Sequence, residues 1–146
     1  MASSFGNDDI FELNRSKKKA ESYLDEKHIM SLVNHLTSTL LKHEPDDPVE
    51  FLVNQVEEII QFRDHSGKPP LLFSDNDLTN IFKGVDYFNS GTIDLSEYFT
   101  AMKMVGLNEN EFNQNPQVDE TNRIECKTFI HETKFALIKQ MTKMIQ

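Results

Sequence analysis

Apolar residues recur at helical spacing through most of this chain, and the two densest stripes lie between Tyr23 and Ile60. Leu32, Val33, Leu36, Leu40 and Leu41 share one face of a predicted helix, and Phe51, Leu52, Val56, Ile59 and Ile60 share a face of the next. The turn between them reads Pro45-Asp46-Asp47-Pro48. Asp47 suits the N-cap, Pro48 the first helical position, where an N–H would go unused, and Glu50 the N3 position of a capping box. Two helices cannot enclose two such stripes. The pattern predicts a partner for this hairpin, or its packing on the rest of its own chain.

The flanking segments are easier to place. Residues 1–16 are small and polar apart from Phe5, Ile10, Phe11 and Leu13, and a mobile tail with one helical turn near Ile10 to Leu13 is expected. Lys17 to Glu26 is rich in helix formers and leads into the hairpin. A linker is expected over 65–72, where Gly67, Pro69 and Pro70 stop the preceding helix. Ser74 then offers an N-cap with Asp77 at N3, and Phe73 and Leu78 stand at the positions of a hydrophobic staple. Leu78, Ile81, Phe82 and Val85 form that helix's inward stripe, and Tyr98, Phe99, Met102 and Val105 that of the next, which ends by Gly106. A short helix around Glu109 to Asn113, anchored by Phe112 and closed by Pro116, is predicted before a long final helix. That last helix carries Phe129, Ile130, Leu137, Ile138, Met141 and Ile145 on its apolar face.

Between the two helices that meet there, Asp86-Tyr-Phe-Asn-Ser-Gly-Thr-Ile-Asp-Leu-Ser-Glu97 has the spacing of an oxygen cage. A calcium loop of twelve residues needs oxygens at positions 1, 3, 5, 7, 9 and 12 and a glycine at 6 for the sharp turn. Asp86, Ser90, Thr92 (through its carbonyl), Asp94 and Glu97 supply five of the six, and Gly91 the turn. Phe88 stands at position 3 and offers no oxygen. This segment resembles the EF-hand family, and residues 117–128 resemble a degenerate second copy, with Gln117 first, Thr128 last and Ile124 aligned with Ile93. The resemblance implies a short strand pairing of Ile93 with Ile124, weak calcium binding at best in the first loop and no ion in the second.

The N-terminal stripes also resemble a known family. Tyr23-Leu24, Ile29, the run Leu36 to Leu41, and Pro45 to Pro48 followed by Phe51-Leu52 are similar to the dimerisation/docking domain of the type II regulatory subunit of cAMP-dependent protein kinase, and to related Dpy-type domains. The resemblance implies a chain break near His28-Ile29, with Ile29 just outside the long helix, and a four-helix bundle built from two protomers. It further implies a groove floored by Ile29, Leu32, Val33 and Leu36, with Leu40, Phe51, Leu52 and Val56 joining the protomers and an amphipathic helix of a larger scaffold protein as ligand. Docking domain first and EF-hand pair second resembles small ciliary adaptors and certain radial-spoke proteins. That implies cytoplasm, cytoskeleton and the axoneme of a cilium or flagellum, with homodimers or heterodimers of related docking domains.

Composition narrows the remaining classes. A formal charge of −9 gives nucleic-acid phosphates little to bind, and the single basic run, Arg15 to Lys19, reads as the solvated start of a helix. No apolar run reaches the ~20 residues that cross a bilayer, and the opening residues lack a signal-peptide plan, so neither membrane insertion nor secretion is expected. Cys126 is the one cysteine; beside Phe129 and Ile130 on helical spacing, it is expected as a buried, inert thiol in a reducing compartment. No phosphate loop, nucleophile elbow or zinc helix occurs, and the five histidines do not cluster with acids, so no catalytic residue is expected.

The predicted fold is therefore all-α: a docking hairpin over 17–64, a linker over 65–72 and an EF-hand-like pair over 73–146. The expected function is a non-enzymatic scaffold or adaptor that dimerises and grips a partner helix. The alternative is a calcium sensor whose opening exposes Met102, Met104, Met141 and Met144, flexible side chains that suit adaptable surfaces and ordinary cores alike. A third reading, an enzyme-accessory fragment, lacks any enzyme segment to accompany it.

Overall fold

The computed structural model describes residues 6–146, as six helices and one two-residue-wide ribbon: α1 (Asn7–Glu26), α2 (Ile29–His43), α3 (Pro48–Arg63), α4 (Asp75–Val85), β1 (Thr92–Ile93), α5 (Leu95–Val105), β2 (Ile124–Glu125) and α6 (Cys126–Met144). The class is all-α, as the periodicity predicts. The chain forms two compact units, one ending at Leu52 and the other beginning at Val53, so the division falls inside α3 and the 65–72 stretch belongs to the second unit.

In the first unit, α1 runs much further toward the N-terminus than expected. Residues 7–16, read as tail with a single helical turn, are continuous helix; Phe5 and the rest of 1–5 lie outside the described residues. The local reasons are good helix formers, Asp8 and Asp9 in the positive first turn, and a hydrogen bond from Gly6 N–H to Asp9 Oδ2 at 3.3 Å. No residue of α1 is buried, so nothing but local propensity signals it. His28 breaks the helix in the left-handed region (φ 54°), where the family resemblance places a break. Ile29, expected just outside the long helix, is the first residue of α2; a shift of one residue is within the fraying of helix ends.

The turn after α2 follows the capping logic. Glu44 terminates the helix in the left-handed region (φ 44°) and donates its N–H to Leu40 O. Asp47 Oδ1 then accepts the Glu50 N–H at 3.1 Å, with Pro48 opening α3. The rings of His43 and Phe51 meet across the turn, centroids 5.3 Å apart.

The second unit holds the principal core. Leu78, Phe82 and Val85 of α4, Tyr98, Ala101, Met102 and Val105 of α5, and Phe129, Ala136 and Leu137 of α6 close around Ile93 and Ile124 of the ribbon. The predicted inward stripes are therefore correct, with Ile81, Phe99 and Ile130 at the half-buried margin. Ser74 caps α4 reciprocally: its Oγ accepts the Asp77 N–H at 3.2 Å, and its own N–H reaches Asp77 Oδ2 at 2.8 Å. Such a cap is worth ~1 kcal/mol.

The helix expected at Glu109 to Asn113 does not form. Gly106, in the left-handed region (φ 96°), stops α5, and the Asn108 N–H goes to Glu111 Oε2 at 2.7 Å. The Asn115 N–H goes to Asn113 Oδ1 at 3.0 Å. Gln114 Nε2 donates to the Glu109 carbonyl at 2.8 Å, and so occupies an acceptor that a helix would need. Phe112 is nonetheless the anchor predicted for this stretch: it is buried, edge-on to Tyr98 and Phe99 at 5.8 and 5.3 Å. The methionines divide, Met102 and Met141 lying in the interior and Met104 facing solvent. Cys126 is half-buried, and burial pushes its thiol up, against the opposing pull of Thr79 and the Lys83 charge.

Candidate functional site

The first loop, 86–97, is assembled by short-range hydrogen bonds. Asp86 ends α4, and its Oδ1 accepts the Ser90 N–H at 3.0 Å while Oδ2 accepts the Gly91 N–H at 2.8 Å. These bonds, the Ser90 N–H first among them, hold the Asp86 carboxyl below the usual carboxylate range. Asn89 (φ 51°) and Gly91 (φ 81°) make the tight turn, the latter at the position where the EF-hand pattern requires glycine. Asp94 caps α5, accepting the Glu97 N–H at 2.8 Å, and Glu97 Oε1 returns to the Asp94 N–H at 3.3 Å. Burial raises the Glu97 carboxyl, whereas the Glu97 N–H lowers that of Asp94.

The ribbon forms in the expected register. Ile93 stands opposite Ile124 and Thr92 opposite Glu125, antiparallel, with both isoleucines fully buried. The second loop is closed on itself around Asp119. Its Oδ1 accepts Thr121 Oγ1 at 2.6 Å, Thr121 N at 2.9 Å and Arg123 N at 2.9 Å, and the Asp119 N–H goes to Arg123 O at 2.8 Å. Asn122 (φ 61°) turns where glycine turns the first loop. The Thr121 hydroxyl, ahead of the backbone donors, holds Asp119 below its ordinary value.

A residue that sequence reasoning missed completes the site. Arg123 reaches from the second loop onto the first: its Nε donates to Thr92 Oγ1 at 2.8 Å and its Nη2 to Thr92 O at 2.9 Å. The same Nη2 stands 3.8 Å from Glu97 Oε1. The available signal was a basic residue directly before Ile124 in an acidic loop pair.

The donors as arranged do not fit calcium. Phe88 points outward, 90% exposed, and leaves position 3 without an oxygen. The position-7 carbonyl of Thr92 and the position-12 carboxylate of Glu97 both face a guanidinium. The Ser90 hydroxyl, 3.0 Å from Asp86 Oδ1 and 2.9 Å from Thr92 O, has one proton to share between them. Among the described residues, no three His, Cys, Asp or Glu side chains converge where they would hold an ion.

The residues expected to dock lie on α2 and α3. Ile29, Leu32, Leu36, Leu40, Phe51 and Leu52 are half-buried in the first unit, and Val33 is exposed. Val56 lies one helical turn past Leu52 on α3, in the second unit, and is also exposed. Met30, Leu41 and Val49 add further uncovered apolar surface to the first unit, Leu41 at 69% exposure.

No family model and no solved structure matches the chain. Two curated proteins do. EF-hand calcium-binding domain-containing protein 10 of Homo sapiens is 28% identical over 96 residues, covering 66% of this chain and 76% of the relative. The protein of the same name from Mus musculus is 30% identical over 89 residues, covering 61% of this chain and 67% of the relative. Both carry names of EF-hand domain proteins rather than of enzymes.

Proposed function

Since this chain belongs to the family of EF-hand calcium-binding domain-containing protein 10, we propose that it is a non-enzymatic adaptor: it pairs through α2 and the start of α3 and grips an amphipathic helix of a larger partner. One observation carries this reading. The first unit leaves Met30, Val33, Leu41 and Val49 exposed on α2 and the start of α3, where the remaining apolar residues as far as Leu52 are only half-buried.

The magnitudes favour pairing only if the whole face closes. Completing the burial of a half-exposed aliphatic side chain contributes roughly 0.8–1.5 kcal/mol, half the value for full burial. Four such residues doubled by two-fold symmetry give on the order of 6–12 kcal/mol. Association costs ~4–15 kcal/mol. Leu32, Leu36, Leu40 and Phe51 must therefore lose their remaining exposure too, as they would in a four-helix bundle with Ile29 and Leu52 at its margins. The groove between the paired α2 helices then takes a helical ligand by its i, i+3, i+4 side chains. Homodimers and heterodimers with a related docking domain both satisfy this geometry. The place that suits such an adaptor is the axoneme of a cilium or flagellum, within the cytoskeleton.

The relatives' names speak of calcium binding, and a sensor is the competing role for this chain. It draws on Asp86, Gly91 and Asp94 in their EF-hand positions, and it is opposed by Phe88 and by the guanidinium at Thr92 and Glu97. Mass measurement in solution separates the two roles. The adaptor has twice the 16.9 kDa chain mass with calcium or with chelator, and binds an amphipathic helical peptide in both. A monomer that ignores such a peptide overturns it, and pairing or capture only in calcium favours the sensor.

A further inference from the structure

The three carboxylates of the first loop, Asp86, Asp94 and Glu97, stand at EF-hand positions 1, 9 and 12 without converging as a metal centre, and the loop already has a cation. We propose that Arg123 is the resident counter-ion of loop 86–97: its guanidinium takes the place of calcium at the Thr92 carbonyl and the Glu97 carboxylate, and sets the pair of hands in one arrangement whatever the calcium level. All the residues involved belong to the second unit, so the inference does not rest on the docking reading.

The placement follows from the second loop. Asp119 fixes the backbone of Arg123 from both sides, accepting its N–H and donating to its carbonyl. Ile124 comes next and is fully buried opposite Ile93, so the Arg123 side chain leaves the chain on the opposite face. From there it meets Thr92 through two of its nitrogens, at 2.8 and 2.9 Å. A guanidinium presents several donors in a fixed plane, so it can satisfy a hydroxyl and a carbonyl together while its charge lies beside a carboxylate. Two of the six positions that would coordinate calcium are thereby engaged, and an entering ion would have to displace a tethered positive charge.

This reading gives the degenerate second loop a task. Having no acid at its first position and no glutamate at its last, it holds no cage of its own. Its internal closure on Asp119 instead aims the one side chain that the first loop lacks. Phe88 fits the same picture. With no ion to coordinate, position 3 is under no demand for oxygen, and its ring stands in solvent.

The experiment is a calcium titration by calorimetry of the full chain and three variants, Phe88→Asp, Arg123→Gln and the double variant. Wild type is expected to give no heat in millimolar calcium. Phe88→Asp restores the missing oxygen but leaves the guanidinium in place, so the double variant is expected to bind at least tenfold more tightly than Phe88→Asp. Equal affinity of these two, or calcium binding by wild type, overturns the proposal. Without calcium, Arg123→Gln should lower the thermal midpoint of the second unit, and an unchanged midpoint also overturns it. Should the glutamine variants fail to fold, nitrogen NMR of wild type decides. The Arg123 Nε–H signal, one of three arginine signals, should be resolved and unmoved by calcium; averaging with the other arginines refutes the anchoring.

Discussion

Ile93 and Ile124 face each other across the ribbon with no exposed surface on either, although each belongs to a strand of only two residues. The pairing therefore gains little from its few backbone bonds and much from the two side chains plugged between α4, α5 and α6. Ile93→Ala should cost roughly 2–5 kcal/mol, the range for truncating a buried isoleucine. Urea unfolding followed by circular dichroism measures it, and a loss under ~1 kcal/mol would mean that the site collapses around the cavity or that the ribbon is dispensable.

Two glycines of the second unit should respond in opposite directions to the same change. A Cβ at Gly84 or at Gly106 would meet no atom within 4 Å, so packing does not distinguish them. Gly84 lies inside α4, and Gly84→Ala should stabilise by about 0.5–1 kcal/mol through the unfolded chain's entropy. Gly106 is held at φ 96°, and Gly106→Ala should destabilise by about 1–2 kcal/mol from backbone strain. Midpoints moving the same way would refute the assignment of either conformation.

Val33→Glu tests the docking face without threatening the protomer. The side chain is 45% exposed in the single chain, so a carboxylate there keeps its water and leaves the monomer's stability within about 0.5 kcal/mol of wild type. In a closed bundle the same charge would be buried without a partner, a penalty large enough to prevent assembly. Light scattering should report monomers and peptide binding should vanish, with the second unit's near-ultraviolet spectrum unchanged. Dimers that persist and still bind the peptide would mean that pairing and capture use another surface.

Acid should weaken the second unit late and steeply. Asp86 and Asp119 titrate below their ordinary values in the folded chain, so they contribute stability above the unfolded-chain value near ~4 and lose it as pH falls through the lowered folded values. Glu97 acts oppositely: burial raises it, so its proton binds the folded chain more readily, and acidification just above the ordinary glutamate value slightly favours folding. Urea midpoints should hold or rise gently from pH 7 toward 5 and fall below ~4. In Asp119→Asn the fall should be shallower. A decline beginning near pH 6 would refute the assignment to these carboxylates.

Much of this was legible because periodic stripes and caps are local. Ser74 with Asp77, Asp47 with Pro48, and the inward faces of α4 and α5 are each determined by residues within a few positions of one another. The segment after Gly106 departs from its apolar spacing because Glu111, Asn113 and Gln114 bind backbone groups through their side chains, a competition that such spacing does not reveal. The length of α1 was missed for a related reason: with no buried residue there is no stripe to read. Arg123 escaped notice because its partners are 31 and 26 positions away in the sequence, and only the ribbon register brings them together.

The irregular stretch between α5 and β2 would ordinarily be where a protease enters. Here Leu107, Phe112 and Pro116 are sunk into the interior, and the Tyr98 hydroxyl ties down the Asn113 carbonyl at 2.7 Å. A scissile bond there could not reach an extended posture without dismantling the surrounding side chains. Digestion should instead begin after Arg63, where residues 63–68 are exposed to solvent. The coil that looks weakest on paper is the one a trimming enzyme would leave intact.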